Sequence, residues 1–348
     1  MVFIFKRYNF YIFRSQKVLR YLCMKKILLL ATGGTIACKP NNDGLTPQLD
    51  GKELLSYLED ISDICTVDVI QIYNLDSTNM TYNHWKNVAS IIKDKYEEYD
   101  GFVITHGTDT MAYAASAFSY MIQNSYKPIV LTGSQKSIYM RDNDARNNLF
   151  NALLFASDDR AYGVTIVFNG KVIIGTRAKK VRSKSYNAFT SVNYPEIASI
   201  FDKKVIFYIK ETYKKENLKF FLDFNTNVVL LKLIPGMDKK ALLFAIDNYD
   251  AIIIEGFGVG GIPDYFDDIY PHLKDKVVIV TTQVQYEGSD LDVYKVGKII
   301  KEEYNLMESY DMNSESLLAK LMWILSITKN KEEIKKMLYT PIYNDILR

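Results

Sequence analysis

The chain has 348 residues, 48% of them hydrophobic and 24% charged, with 43 Lys and Arg against 41 Asp and Glu for a net charge of +2. The length leaves room for two domains with sizeable cores, and the near-neutral balance gives no sign of a nucleic-acid-binding face. Cys23, Cys38 and Cys65 are odd in number, lack Cys-x-x-Cys spacing and have only His84, His106 and His272 for company, so neither a disulfide scaffold nor a zinc site is expected and a reducing compartment fits best.

Residues 1–23 carry Lys6, Arg7, Arg14, Lys17 and Arg20 among aromatics, with no acid. Charges interrupt every apolar run, so neither a secretory signal nor a membrane span fits. The segment reads as an over-long start ahead of Met24, or as a basic leader. Residues 25–31 then form an unbroken Ile/Leu-rich run that stops on Gly33 and Gly34, as a strand buried on both faces does. Residues 38–47 are rich in Asn, Asp, Gly and Pro and read as a mobile loop, a possible lid. A helix is expected over 51–61, a strand over 65–73 and a second helix over 80–95.

Residues 101–105 repeat the first unit: a buried strand, a small polar turn and a helix over 111–123. A strand at 127–132 and a helix over 143–157 follow, and Asn169-Gly170 marks a hairpin between strands at 164–169 and 171–174. Periodicity fades across 201–227, where Lys214, Lys215, Glu216 and Lys219 gather. We place the connection between domains there, with domains at 24–205 and 227–348 and the linker at 206–226. Beyond it strands are expected at 228–233, 251–254 and 277–281, with helices over 239–247, 314–328 and 331–337. Alternating strands and helices predict an α/β protein of two domains, each with a largely parallel sheet flanked by helices.

Three polar turns fall at the carboxyl ends of buried strands: Thr32 to Thr35, Asp76 to Thr78, and Thr108 to Thr110. A parallel sheet gathers such turns into one crevice, where hydroxyls, a carboxylate and free backbone N–H groups can serve attack on a carbonyl. Asp109 stands just before a helix and has N-capping as its plainer role. A threonine hydroxyl needs a base. No Ser-His-Asp pattern is present and His106 reads as a packing or turn residue, which leaves a lysine from Gly175-Thr176-Arg177-Ala178-Lys179-Lys180. Gly256-Phe257-Gly258-Val259-Gly260-Gly261 matches a dinucleotide-binding pattern, but the next strand ends in Thr281-Thr282-Gln283 without the acid such a site needs. A close-packed turn facing the first domain is the better reading.

Thr32-Gly33-Gly34-Thr35-Ile36-Ala37 together with His106-Gly107-Thr108-Asp109-Thr110 resembles the paired signature of the bacterial-type L-asparaginases. The resemblance runs from Lys25 to the C-terminus and includes Leu131 to Gln135, Asp144 to Asn151, Ser191 to Tyr194 and Glu287 to Asp290. It implies a larger N-terminal domain and a smaller, Rossmann-like C-terminal one. It also implies hydrolysis of L-asparagine to L-aspartate and ammonia, with Thr35 as nucleophile and Thr108, Asp109 and Lys180 assisting. Asp76 and Ser77, with Gly34 and Gly107, would hold the substrate. No metal or cofactor is implied, and members are commonly homo-oligomers, dimers or tetramers, with no nucleic-acid or membrane partner.

Three departures stand out. The loop after Thr35 lacks the tyrosine many members carry, Asp76-Ser77 replaces a Ser-Gln pair, and Gly261 replaces an asparagine. They point to a cytoplasmic member. The alternatives are the asparaginase-like subunit of a glutamyl-tRNA amidotransferase and a non-catalytic amino-acid sensor.

Overall fold

The computed structural model describes residues 24–41, 44–209 and 216–347. The leader at 1–23 and the tip of the loop after Thr35 lie outside the described residues. The strand Lys25–Gly33 is flanked on both sides by parallel partners, Cys65–Leu75 and Gly101–Thr105. Pro128–Thr132 and Gly163–Phe168 continue the parallel array. Beyond these the sheet turns antiparallel through Lys171–Ile174, Ala198–Phe201 and Lys204–Phe207, giving eight strands in all.

Strand periodicity explains the layers. Successive side chains point to opposite faces, so Leu28 and Leu30 enter one hydrophobic cluster and Ile27 and Leu29 the other, all four fully buried. The second sheet is wholly parallel, built from Val228–Lys232, Ala251–Gly256, Val277–Thr282 and Met307–Glu308. Its inner face, with Ile253 and Ile279, shares a cluster with the helices Met111–Met121 and Ser314–Ile327. One apolar core thus joins the two sheets in a two-domain α/β fold.

Several expectations need correction. Residues 38–47 are not an irregular loop: Cys38–Asn41 pairs antiparallel with Gly44–Pro47. The helix at 51–61 ends early, at Gly51–Ser56, although Asp50 and Glu53 form a capping box at its start. Asp60 takes a left-handed conformation that a continuing helix cannot contain. The described residues of the stretch 201–227 are more regular than their sequence suggests. They begin with the edge strand Lys204–Phe207 and later send Lys219–Phe220 to pair with Ile122–Gln123. Among the described residues no helix is long and apolar enough to cross a membrane, and Cys38 and Cys65 are free and buried.

Candidate active site

Four neighbouring parallel strands end at one edge, and glycines let their turns touch backbone to backbone. Gly34 has φ +80°, and a Cβ on it would lie 2.5 Å from the Gly107 nitrogen. A Cβ on Gly107 would in turn lie 2.5 Å from the Ser77 Oγ. Turns that are distant in sequence are therefore in van der Waals contact because neither side chain exists. Thr35 follows Gly34 and opens the turn Thr35–Ala37, whose Ile36 and Ala37 are buried as an anchor. Thr35 itself is half-exposed, and its hydroxyl has no hydrogen-bond partner among the described residues. Thr32 is different: it is buried and donates to the Thr105 carbonyl at 2.7 Å, tying two strands together.

In the second turn Asp76 is exposed and accepts from the Thr78 backbone N–H at 3.0 Å. Ser77 is buried beneath Gly107, and its carbonyl accepts from the Thr110 hydroxyl at 2.8 Å. In the third turn the Lys180 Nζ donates to the Thr108 Oγ1 at 2.7 Å and to the Asp109 Oδ1 at 2.6 Å. Asp109 does not cap the helix Met111–Met121: the cap residue is Thr110, with no side-chain capping bond. The carboxylate instead faces a lysine more than seventy positions away in sequence, whose side chain is only 16% exposed.

The two adjacent lysines diverge as an extended segment requires. Lys179 pairs with Glu315 at 3.3 Å, and that carboxylate is mostly buried. His106 is buried beneath the third turn. Its Nδ1 donates to the Gly107 carbonyl at 2.8 Å and its Nε2 accepts from the Trp85 Nε1 at 3.4 Å. Burial pushes its pKa down to about 4, so the ring is neutral and structural. Burial likewise pushes the Cys38 thiol up to about 11, which leaves it inert beside Thr35.

Sequence reasoning did not single out Gln135. Its Oε1 accepts from the Thr108 hydroxyl at 3.2 Å, so that hydroxyl is held between a donor, Lys180, and an acceptor. Asp144 fixes Gln135 by accepting from its backbone N–H at 2.9 Å and from that of Lys136 at 3.0 Å. The only sequence signal was that both lie in the stretches that carry the resemblance. The glycine turn at 256–261 takes no part in these hydrogen bonds. Phe257 and Gly261 bond each other's backbones at 2.9 and 2.6 Å, and Gly260 packs on Val280, Ser289 and Leu291. It faces its own domain rather than the first, contrary to expectation.

The chain is similar to known proteins over nearly its whole length. Residues 26–213 match the family model "Asparaginase, N-terminal" and residues 227–338 match "Glutaminase/Asparaginase C-terminal domain". An L-asparaginase of Thermococcus kodakarensis is 38% identical over 329 residues, covering 92% of this chain and 99% of that one. A glutamyl-tRNA(Gln) amidotransferase subunit of Pyrococcus abyssi is 31% identical, over 93% of this chain and 77% of its own length. Among solved structures, the thermostable L-asparaginase from Thermococcus kodakarensis superimposes with a TM-score of 0.87 at 36% identity, covering 93% of this chain and 99% of that one. Both halves of the family's architecture and the edge on which its paired motifs lie are present, and the chain belongs to the asparaginase family.

Proposed function

We propose that the chain hydrolyses L-asparagine to L-aspartate and ammonia through a threonine-linked acyl-enzyme. The observation that carries the reading is the Lys180 ammonium, 2.7 Å from the Thr108 hydroxyl and 2.6 Å from the Asp109 carboxylate, beside the Gly34 to Gly107 contact that puts Thr35 at the same edge. The Thr35 Oγ attacks the side-chain amide carbon. Its proton passes to the assisting groups as the O–C bond forms and the carbonyl oxygen becomes an oxyanion; collapse of that tetrahedral species breaks the C–N bond, and the leaving nitrogen takes up a proton to depart as ammonia. Water then adds to the acyl carbon, and Thr35 regains its proton as aspartate leaves.

Thr108, Asp109 and Lys180 move the protons in this scheme. Lys180 relays a proton with the Thr108 hydroxyl, and the Asp109 carboxylate pairs with its charged form. The backbone N–H groups near Thr35 and Thr108 would face the developing oxyanion, and the exposed Asp76 carboxylate would take the substrate α-ammonium. One extra methylene is worth only about 1–3 kcal/mol of discrimination, so glutamine is the natural competitor. Ammonia release from L-asparagine, L-glutamine and D-asparagine, measured side by side on the isolated chain, tests the proposal. Turnover of L-asparagine is expected, and its absence would overturn it. The similarity to an amidotransferase component favours one second reading, an amidase that works only with a partner. Silence alone with ammonia release in the presence of such a partner would select it.

A further inference from the structure

Lys180 does not lie in the eight-stranded sheet. Its strand, Ala178–Lys180, pairs with Phe189–Ser191 alone in a two-stranded ribbon. Such a ribbon is marginal by itself, yet the proton transfers assigned to Lys180 tolerate little displacement, since an error of about 1 Å can cost about a hundredfold in rate. Some other contact must fix the ribbon. Four consecutive residues supply it, each bonded to the C-terminal part of the chain. The Thr176 hydroxyl donates to the Tyr343 carbonyl at 2.7 Å. The Arg177 guanidinium donates to the Asp311 carbonyl at 2.9 Å and the Asp311 Oδ2 at 2.8 Å, and its Nε donates to the Asn344 carbonyl. The Ala178 carbonyl accepts from the Asn313 side chain at 3.2 Å, and Lys179 pairs with Glu315. The Lys180 side chain turns the other way, to Thr108 and Asp109.

We propose that Asp311, acting through Arg177, is a positioning residue for Lys180, so that the C-terminal segment at 311–315 sets the geometry of the Thr108 and Asp109 network. The inference rests on the reading that Lys180 assists Thr108. Arg177 has no exposed side-chain surface and Asp311 is its acidic partner. A buried guanidinium without a countercharge is strongly unfavourable, and its planar fork accepts little rotation once two edges are bound. Asp311 is itself held: its Oδ1 accepts from the Leu347 backbone N–H at 3.1 Å, and its carbonyl also accepts from the Asn193 side chain at 2.9 Å. Asn313 joins the clamp to a helix, since its Oδ1 caps Ser314–Ile327 at the Ser316 N–H while its Nδ2 holds the strand.

Asp311→Asn removes the charge and keeps the shape. We expect kcat on L-asparagine to fall by about tenfold with KM within about threefold, because the change acts on proton transfer and not on substrate contacts. The decisive readout is coupling. In a Lys180→Met background Asp311→Asn should lower kcat no further, whereas a purely structural role would multiply the two losses and overturn the proposal. Wild-type kcat in a folded Asp311→Asn variant would overturn it as well. Should that variant not fold, Asn313→Ser replaces it: a serine keeps the helix cap and removes the amide N–H to Ala178, with the same outcomes required. Hydrogen exchange of the peptide spanning 176–181 reads the clamp without turnover and should quicken in either variant. Exchange at the wild-type rate refutes the clamp, whereas an inactive wild type refutes the functional reading instead.

Discussion

Two sheet edges in this chain have the same ingredients and opposite character. Each follows parallel Ile- and Val-rich strands, and each carries glycines, threonines and charged groups. At the C-terminal edge the polar groups are consumed locally. The Thr282 hydroxyl donates to the Gly258 carbonyl, the Gln283 amide donates to the Leu233 and Glu255 carbonyls at 2.7 and 2.9 Å, and Thr281 accepts from Ser309 at 2.7 Å. At the N-terminal edge the glycines instead press separate turns together, and although Thr32 and Thr110 are bonded to backbone carbonyls, four other polar side chains are not. Lys180, Thr108 and Asp109 meet there, and Thr35 keeps an unpartnered hydroxyl among the described residues. A glycine-rich strand end becomes a site when its polar side chains are left unclaimed by backbone, and not by glycine content.

Moving a methyl group between the edges gives the largest contrast. Gly34→Ala drives a Cβ to 2.5 Å from the Gly107 nitrogen at a φ of +80°, and neither backbone can retreat without parting two strands. Its unfolding free energy should drop by about 3 kcal/mol or more, with activity lost. Gly258→Ala has φ +51° and nothing within 4 Å, so about 1–2 kcal/mol of left-handed strain is the whole expected cost. Denaturant titration of both variants checks the pair. Equal losses would mean that the contact between turns is not what holds the first edge.

Thr35→Ala removes an unpartnered, half-exposed hydroxyl. It should abolish turnover while leaving the melting temperature within a few degrees, since nothing in the fold depends on that group. A variant that keeps more than about a tenth of kcat, a loss of only ~1.4 kcal/mol, would transfer the nucleophile's role to Thr108.

Lys180→Met and Lys179→Met test the two faces of one strand. The first removes the donor to Thr108 and Asp109 and should lower kcat by about two orders of magnitude or more. The second leaves Glu315 mostly buried without its partner. It should act chiefly on stability, by about 1 kcal/mol, with a smaller effect on kcat than Lys180→Met. Steady-state kinetics on both, with reversed results, would put the strand one residue out of register and make Lys179 the base.

How far the sequence disclosed all this depended on the range of each interaction. The run from Ile27 to Leu30 and its counterparts at Phe102 to Ile104 and Ile252 to Ile254 are buried on both faces, so composition alone marked them as central strands. The strand Lys204–Phe207 alternates between exposed and half-buried positions at the sheet's edge, and its pattern could not be told from a connection. The paired motifs located Thr35, Thr108 and Asp109, and strand alternation meant that only one of Lys179 and Lys180 could join them. Burial of Arg177 was invisible for a physical reason. An arginine is ordinarily exposed, and what admits this one is Asp311, which only tertiary folding brings near. The Lys179 to Glu315 pair was hidden in the same way.

The last expected effect is confined to acid pH and again separates the two halves. His106 sits fully buried beneath the first edge with both ring nitrogens engaged, and burial pushes its pKa down to about 4. His272, on the helix Tyr270–Leu273 of the second half, is exposed. An unfolded histidine titrates near 6.5. Between that value and about 4 the unfolded chain therefore binds a proton at position 106 that the folded chain does not. Stability from this group is complete above about pH 6.5 and declines as pH falls toward 4. The decline should reach about 1 kcal/mol by pH 5.5 and approach about 3 kcal/mol at pH 4, since a tenfold change in proton affinity is worth ~1.4 kcal/mol. His106→Gln keeps one donor and one acceptor but cannot charge. It should be less stable than wild type at pH 8 because the ring's packing and its Trp85 contact are lost, yet its stability should vary less between pH 6.5 and 5. Urea titrations at pH 8, 6.5 and 5.5 measure the two slopes. Parallel slopes would assign the acid sensitivity to other groups, and His106 would then be only a packing residue beneath the turn.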